Sequence, residues 1–127
     1  MDDQLRLALE PVLHDLRAAG GPLPARLEDA DWAGDPGTAS VMLWSSDGSG
    51  MGVQVQRGQP FADQVAWLAD QVQEWAVEDL WGTAPTNWPP CPRHPTTHPL
   101  QVGVVSGAAW WSCPRDGVPV AEVGSLG

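Results

Sequence analysis

The sequence predicts an α+β chain. An αββα body, two amphipathic helices on an antiparallel hairpin, is followed by a small three-stranded β-module. Three observations carry this prediction. Apolar residues recur at helical spacing in segments 2–19 and 61–80. Between them, an apolar run and an alternating run flank a turn rich in Gly, Ser and Asp. Beyond residue 80 the charge largely disappears, and Pro, both Cys and two of the three His collect. At 127 residues the chain has the size of one domain. The expected division is an acidic body, 1–83, and a Cys/His/Pro-rich module, 84–127, with one core shared between them as the alternative.

In the first segment Leu5, Leu9, Val12, Leu13 and Leu16 fall on one helix face. Asp2 and Asp3 suit the positive end of the helix dipole, and Gly20-Gly21 ends the run. Pro11 removes one backbone hydrogen bond at a cost of roughly 3 kcal/mol, so a kinked but continuous helix is expected. Residues 21–38, rich in Gly, Pro and Asp, read as a loop. The apolar run 38–45 has strand length, 46–50 supplies turn chemistry, and 51–57 alternates apolar with polar. Together they predict a hairpin, stopped by Gly58-Gln59-Pro60. In 61–80, Phe61, Val65, Leu68, Val72, Trp75 and Ala76 make an apolar stripe. Pro60 and Asp63 favour its start and Gly82 its end. A two-stranded hairpin alone is marginal, so both helices should cover one face, or the module should add a third strand. Residues 83–90 read as a linker stiffened by proline.

There are 16 acidic residues against 6 arginines and no lysine, a formal charge of −10. This argues against nucleic-acid binding through phosphates and against anchoring on anionic lipid. No stretch approaches the ~18 apolar residues of a membrane helix, and the acidic start, Met1-Asp2-Asp3-Gln4, lacks the basic residues of a secretory signal. A soluble cytoplasmic protein is the expectation. Lys, Ile and Tyr are absent, and Asn and Phe occur once each. These are residues with AT-rich codons, which points to a high-GC genome, an actinobacterium being the simplest source. Tryptophan, with 8 copies, is the exception. The acidic residues of the second helix, Asp63, Asp70, Glu74, Glu78 and Asp79, read first as a solvated face. The sharper reading is a surface that steers a basic partner.

The chemistry concentrates near the C-terminus. Cys91-Pro92-Arg93-His94 is echoed 22 residues later by Cys113-Pro114-Arg115-Asp116, each with a ligand type at positions one and four. C-x-x-[CH] is the spacing at which a tight turn lets two side chains grip one metal. Segments 100–105 and 108–112 read as strands around Ser106-Gly107, and 118–123 as a third. This arrangement resembles a zinc ribbon over some 35–40 residues. The resemblance implies one structural zinc held by Cys91, His94, Cys113 and Asp116. His98 fits the fourth position equally well and makes a Cys2His2 set. The alternatives are a Cys91–Cys113 disulfide, a degenerate ribbon with free thiols, and a Cys-His catalytic pair. The motifs H-E-x-x-H, G-x-x-x-x-G-K-[ST] and G-x-S-x-G, and the zinc-deaminase pattern, are absent. His14 reads as a helix-surface residue. Trp110 and Trp111 are neighbours on a strand and should face opposite ways. Trp81, Trp88 and one of the pair are expected to cement the module onto the body, and the sharper reading is that an exposed tryptophan among Trp88, Trp110 and Trp111 anchors a partner.

The resulting expectation is a non-enzymatic cytoplasmic protein-interaction or adaptor protein with a structural zinc and a protein partner, a basic one on the sharper reading of the acidic face. The alternatives are an acidic inhibitor or immunity-type protein without metal, and a zinc-dependent hydrolase or thiol redox protein.

Overall fold

A computed structural model describes residues 1–30, 35–82, 84 and 86–126. Thr83 and Pro85 of the expected linker, and with Thr83 the expected boundary, lie outside the described residues. The elements run α1 (Asp3–Ala18), β1 (Arg26–Ala30), β2 (Thr38–Trp44), β3 (Gly50–Gln56), α2 (Phe61–Trp81), β4 (Gln101–Val105), β5 (Ala108–Ser112) and β6 (Pro119–Glu122). The strands form two antiparallel three-stranded sheets, β1-β2-β3 and β4-β5-β6. Among the described residues no helix is long and apolar enough to cross a membrane.

Helix α1 starts where the Asp2 carboxylate accepts from the Leu5 amide, a side-chain cap on an otherwise orphan donor. It runs through Pro11 as one element and buries Leu5, Ala8, Leu9, Val12, Asp15 and Leu16. Helix α2 buries Val65, Leu68, Ala69, Val72, Trp75 and Ala76 as its apolar spacing dictates. Phe61, expected on that stripe, is exposed at the first position of the helix.

The hairpin is present, with Val41 facing Val53 and Ala39 facing Val55 across β2 and β3. The αββα order needs correction to αβββα. Strand β1, inside the segment read as a loop, pairs along its whole length with β2, from Arg26 opposite Trp44 to Ala30 opposite Ser40. It is an edge strand with only Leu27 and Ala30 apolar, so periodicity could not mark it. Its order comes from a ladder to residues met later in the chain. Glu28 and Asp29 put charge on this edge, which discourages further pairing. The third strand therefore comes from ahead of the hairpin and not from the module. The module's own three strands lie close to where they were expected. The β4–β5 turn places Ser106 at φ 51° and Gly107 at φ 80°, the left-handed pair that a two-residue type I′ hairpin requires.

The buried apolar residues of both halves belong to one cluster. Trp88 meets Trp111 edge-on, with ring centroids 5.8 Å apart, and Gly21 lies so close to the Trp88 indole that a Cβ there would fall 2.9 Å from it. Three glutamines of α2 act as peptide surrogates between layers. Gln71 both donates to and accepts from the main chain of Gln54 on β3. Gln64 donates to the Gln56 carbonyl, and Gln73 to the carbonyls of Trp88 and Leu100.

One charged side chain sits at the centre. Asp15 is fully buried, and its carboxylate accepts from the Trp111 indole at 2.8 Å, the Gly124 amide at 2.7 Å and the Leu126 amide at 3.0 Å. An Asp15→Asn substitution would keep one acceptor oxygen, remove the charge and set an amide donor against at least one of the three donors. Unsatisfied buried donors cost about 1–3 kcal/mol each, so urea unfolding should show a loss of about 2–4 kcal/mol. Unfolding at the wild-type midpoint would mean that the carboxylate is dispensable.

Candidate metal centre

The segment 91–98 is built of consecutive tight turns. The His94 amide donates to the Cys91 carbonyl at 3.1 Å, and the Thr97 amide to the His94 carbonyl at 3.1 Å. This winding brings Cys91, His94 and His98 to one side. Cys113 arrives at the end of β5, where the Gly117 amide closes a second turn on its carbonyl at 2.8 Å.

The ligand atoms of Cys91, His94, His98 and Cys113 all lie within 4.8 Å of one another, a group that could hold a metal ion. Both sulfurs are buried, both imidazoles partly so, and both cysteines are free thiols with no disulfide between them. His94 Nδ1 stands 3.7 Å from Cys91 Sγ and 3.8 Å from Cys113 Sγ, and His98 Nε2 is 3.9 Å from Cys113 Sγ. Tetrahedral zinc with Zn–S near 2.3 Å and Zn–N near 2.0–2.1 Å has a sulfur-to-nitrogen edge of about 3.6 Å. The observed separations are close to that edge. The set thus fits one tetrahedral ion in size as well as in chemistry.

The imidazole orientation agrees. His98 Nδ1 lies 3.1 Å from the Pro99 carbonyl oxygen. A carbonyl only accepts, so Nδ1 donates to it, and Nε2 is the ring nitrogen that faces Cys113. Metal-bound histidines are held in this way, by a hydrogen bond from the other ring nitrogen.

Electrostatics favour the ligand forms. Burial pushes the Cys91 thiol up, but the Arg93 and His94 amides, the Cys113 side chain and the Arg93 charge outweigh it and hold the thiol below its ordinary range. Burial, then the nearby charges of His98, Arg115 and Arg93, lower the His94 imidazole against the opposing pull of Asp116. Thiolate and neutral imidazole are the forms that coordinate.

Asp116 stands outside the group of four. Its carboxylate pairs with Arg93 at 2.5 Å and accepts from the Val118 amide at 3.0 Å. Those partners, the Val118 amide foremost and then Arg93, hold it below the usual carboxylate range. The pair clips the first turn to the second from outside the sulfurs.

Trp88 and Trp111 are core residues and offer a partner no surface, while Trp110 is partly exposed. Their edge-on contact joins the segments that carry Cys91 and Cys113. The anchoring role expected of Trp88 and Trp111 is thereby corrected, because each fills the core beneath the donor set. Among the described residues the solvent-facing tryptophans are Trp67, 60% exposed, and Trp81, 58% exposed, so Trp81 does not fill the core as a cementing residue would. His14 is exposed on α1 as expected. Sequence reasoning missed Asp15. The available signal was a carboxylate standing between Val12 and Leu16 on the apolar stripe.

No protein-family model, curated protein or solved structure matches the chain.

A direct comparison separates the two candidates for the fourth ligand. His98→Ala should weaken zinc binding at least ~100-fold, since a lost ligand costs more than a lost outer-shell partner. Asp116→Ala should stay within about tenfold of the parent. Competition with a chromophoric chelator measures both, and the reverse order would exchange the assignments.

Proposed function

We propose that this chain is a small non-enzymatic protein-interaction or adaptor protein in which Cys91, His94, His98 and Cys113 hold one structural zinc ion. The observation that carries the reading is the closed donor set: four ligand atoms within 4.8 Å of one another, three sulfur-to-nitrogen separations close to a tetrahedral edge, and both sulfurs buried. Structural sites fill all four positions, whereas catalytic sites leave one for water or substrate. A tetrahedral S2N2 set also favours zinc over harder ions. When bound, the ion supplies a cross-link. The chain's own residues position it: the 91–98 turns present three donors, the second turn presents Cys113, and Arg93 with Asp116 braces the two turns. A ribbon-like module is the finer reading, supported by the two turns at the same end of the β4–β5 hairpin. The segment around the turns is short and rich in proline, and such modules often depend on a metal for stability.

Purified without added metal or chelator, the chain should carry close to one zinc by elemental analysis. EDTA should lower the thermal midpoint, and Cys91→Ser and Cys113→Ser should each lose the metal and the EDTA effect together. A metal-free chain that melts identically with and without EDTA would overturn the structural-zinc reading.

A further inference from the structure

The two sheets treat their outer edges differently. On β3, the outward peptide groups of Gln54 are taken up by Gln71, and the Gln56 carbonyl by Gln64. On β4 the closure stops early. The two-residue turn makes Val105–Ala108 a hydrogen-bonded pair, so Gly103 and Gln101 also bond to β5, while Leu100, Val102 and Val104 point their main-chain groups outward. Leu100 is satisfied, its amide by the Pro89 carbonyl and its carbonyl by Gln73. Val102 and Val104 have no such partner among the described residues. This edge also lacks the usual protection, because Gln-Val-Gly-Val-Val contains neither charge nor proline.

The open edge forms one wall of a surface groove of about 480 Å³ lined by Asp63, Ala66, Trp67 and Asp70 of α2 and by Val102 and Val104. Trp67, part of that lining, is exposed. Asp63 and Asp70 are seven residues apart on one helix face, roughly 10 Å along the axis. Neither pairs with a cation among the described residues, and α2 contains no basic residue at all. A groove with a free strand edge, an aromatic face and two unpaired carboxylates is complementary to one kind of occupant.

We propose that the β4 edge and the α2 groove bind an extended basic segment of a partner protein by strand addition. The partner main chain pairs with Val102 and Val104, and its Arg or Lys side chains lie across Trp67 to reach Asp63 and Asp70. Side chains on one face of a strand recur about every 6.6–6.8 Å, and flexible basic stems span the difference to the two carboxylates. The Trp67 indole adds a cation–π contact. Charge complementarity selects this occupant over a second copy, because two chains of charge −10 joined here would bring four carboxylates together. The proposal names the partner chemistry for the adaptor reading and rests on that reading only for the protein's role.

The probe is a fluorescein-labelled hexapeptide, Arg-Val-Arg-Val-Arg-Val, followed by anisotropy against the zinc-replete chain, with Glu-Val-Glu-Val-Glu-Val as the control. Saturable binding of the basic peptide that weakens with salt is expected. Asp63→Asn with Asp70→Asn, and separately Trp67→Ala, should weaken it at least about tenfold. Val104→Pro deletes an outward N–H without touching the β5 ladder and should do the same, while Val104→Ala should stay within about threefold. Alternate N-methylation of the peptide tests the same main-chain bonds on the unaltered protein and should abolish binding. Equal binding of both peptides, indifference to N-methylation, or sedimentation as a dimer through this edge would overturn the proposal. One zinc per chain without peptide binding would overturn the groove alone. Peptide binding by a chain that never takes up zinc would support the groove and overturn the metal reading.

Discussion

The structure depends most on a buried carboxylate. Asp15 lies on the apolar face of α1, where an uncompensated charge would be strongly unfavourable. It is compensated by three donors drawn from β5 and the chain beyond β6. Because the compensation is specific in direction, it orients what it touches. Trp111 is held at its ring nitrogen, and Cys113 follows two residues later. Trp88 packs edge-on against the same indole, and Cys91 follows three residues later. The sulfurs of the metal centre are therefore positioned from beneath by a polar contact in the first helix and by aromatic packing in the core.

A hydrophobic core and a donor set that could hold a metal ion divide the chain between them. The region around Cys91 and His94 has few large apolar residues and exposed prolines, so packing alone contributes little to its order. Four ligands closing on one point would supply what is missing, and the Arg93–Asp116 pair restrains the same two turns from outside. Helix α2 mediates elsewhere. Its glutamines substitute for strand partners on β3 and at Leu100, which lets one helix pair outward main-chain groups of both sheets.

Legibility followed how local each determinant is. Both helices and the hairpin were readable because period and turn chemistry lie within a dozen residues. Strand β1 was not, since a charged edge strand shows no alternation and owes its order to β2. Cys91, His94 and Cys113 were readable from their spacing. The fourth position was not, because the deciding facts are the winding that lifts His98 beside Cys113 and the Arg93 guanidinium that engages Asp116. The tryptophans were the hardest to assign. An indole suits a core as well as an interface, and the division between Trp111 and Trp67 depends on helix and sheet placement that no local pattern contains.

The Asp15 contacts also have a consequence in time. The carboxylate and its partners are separated by 96 to 111 residues. On a ribosome adding roughly 5–20 residues each second, the helix precedes its compensating donors by about 5–20 s. During that interval the Asp15 carboxylate has none of its native donors, although β2 and α2, which pack against α1, are already made. The charge buried in the first helix is therefore compensated only once β5 and the residues after β6 have been made.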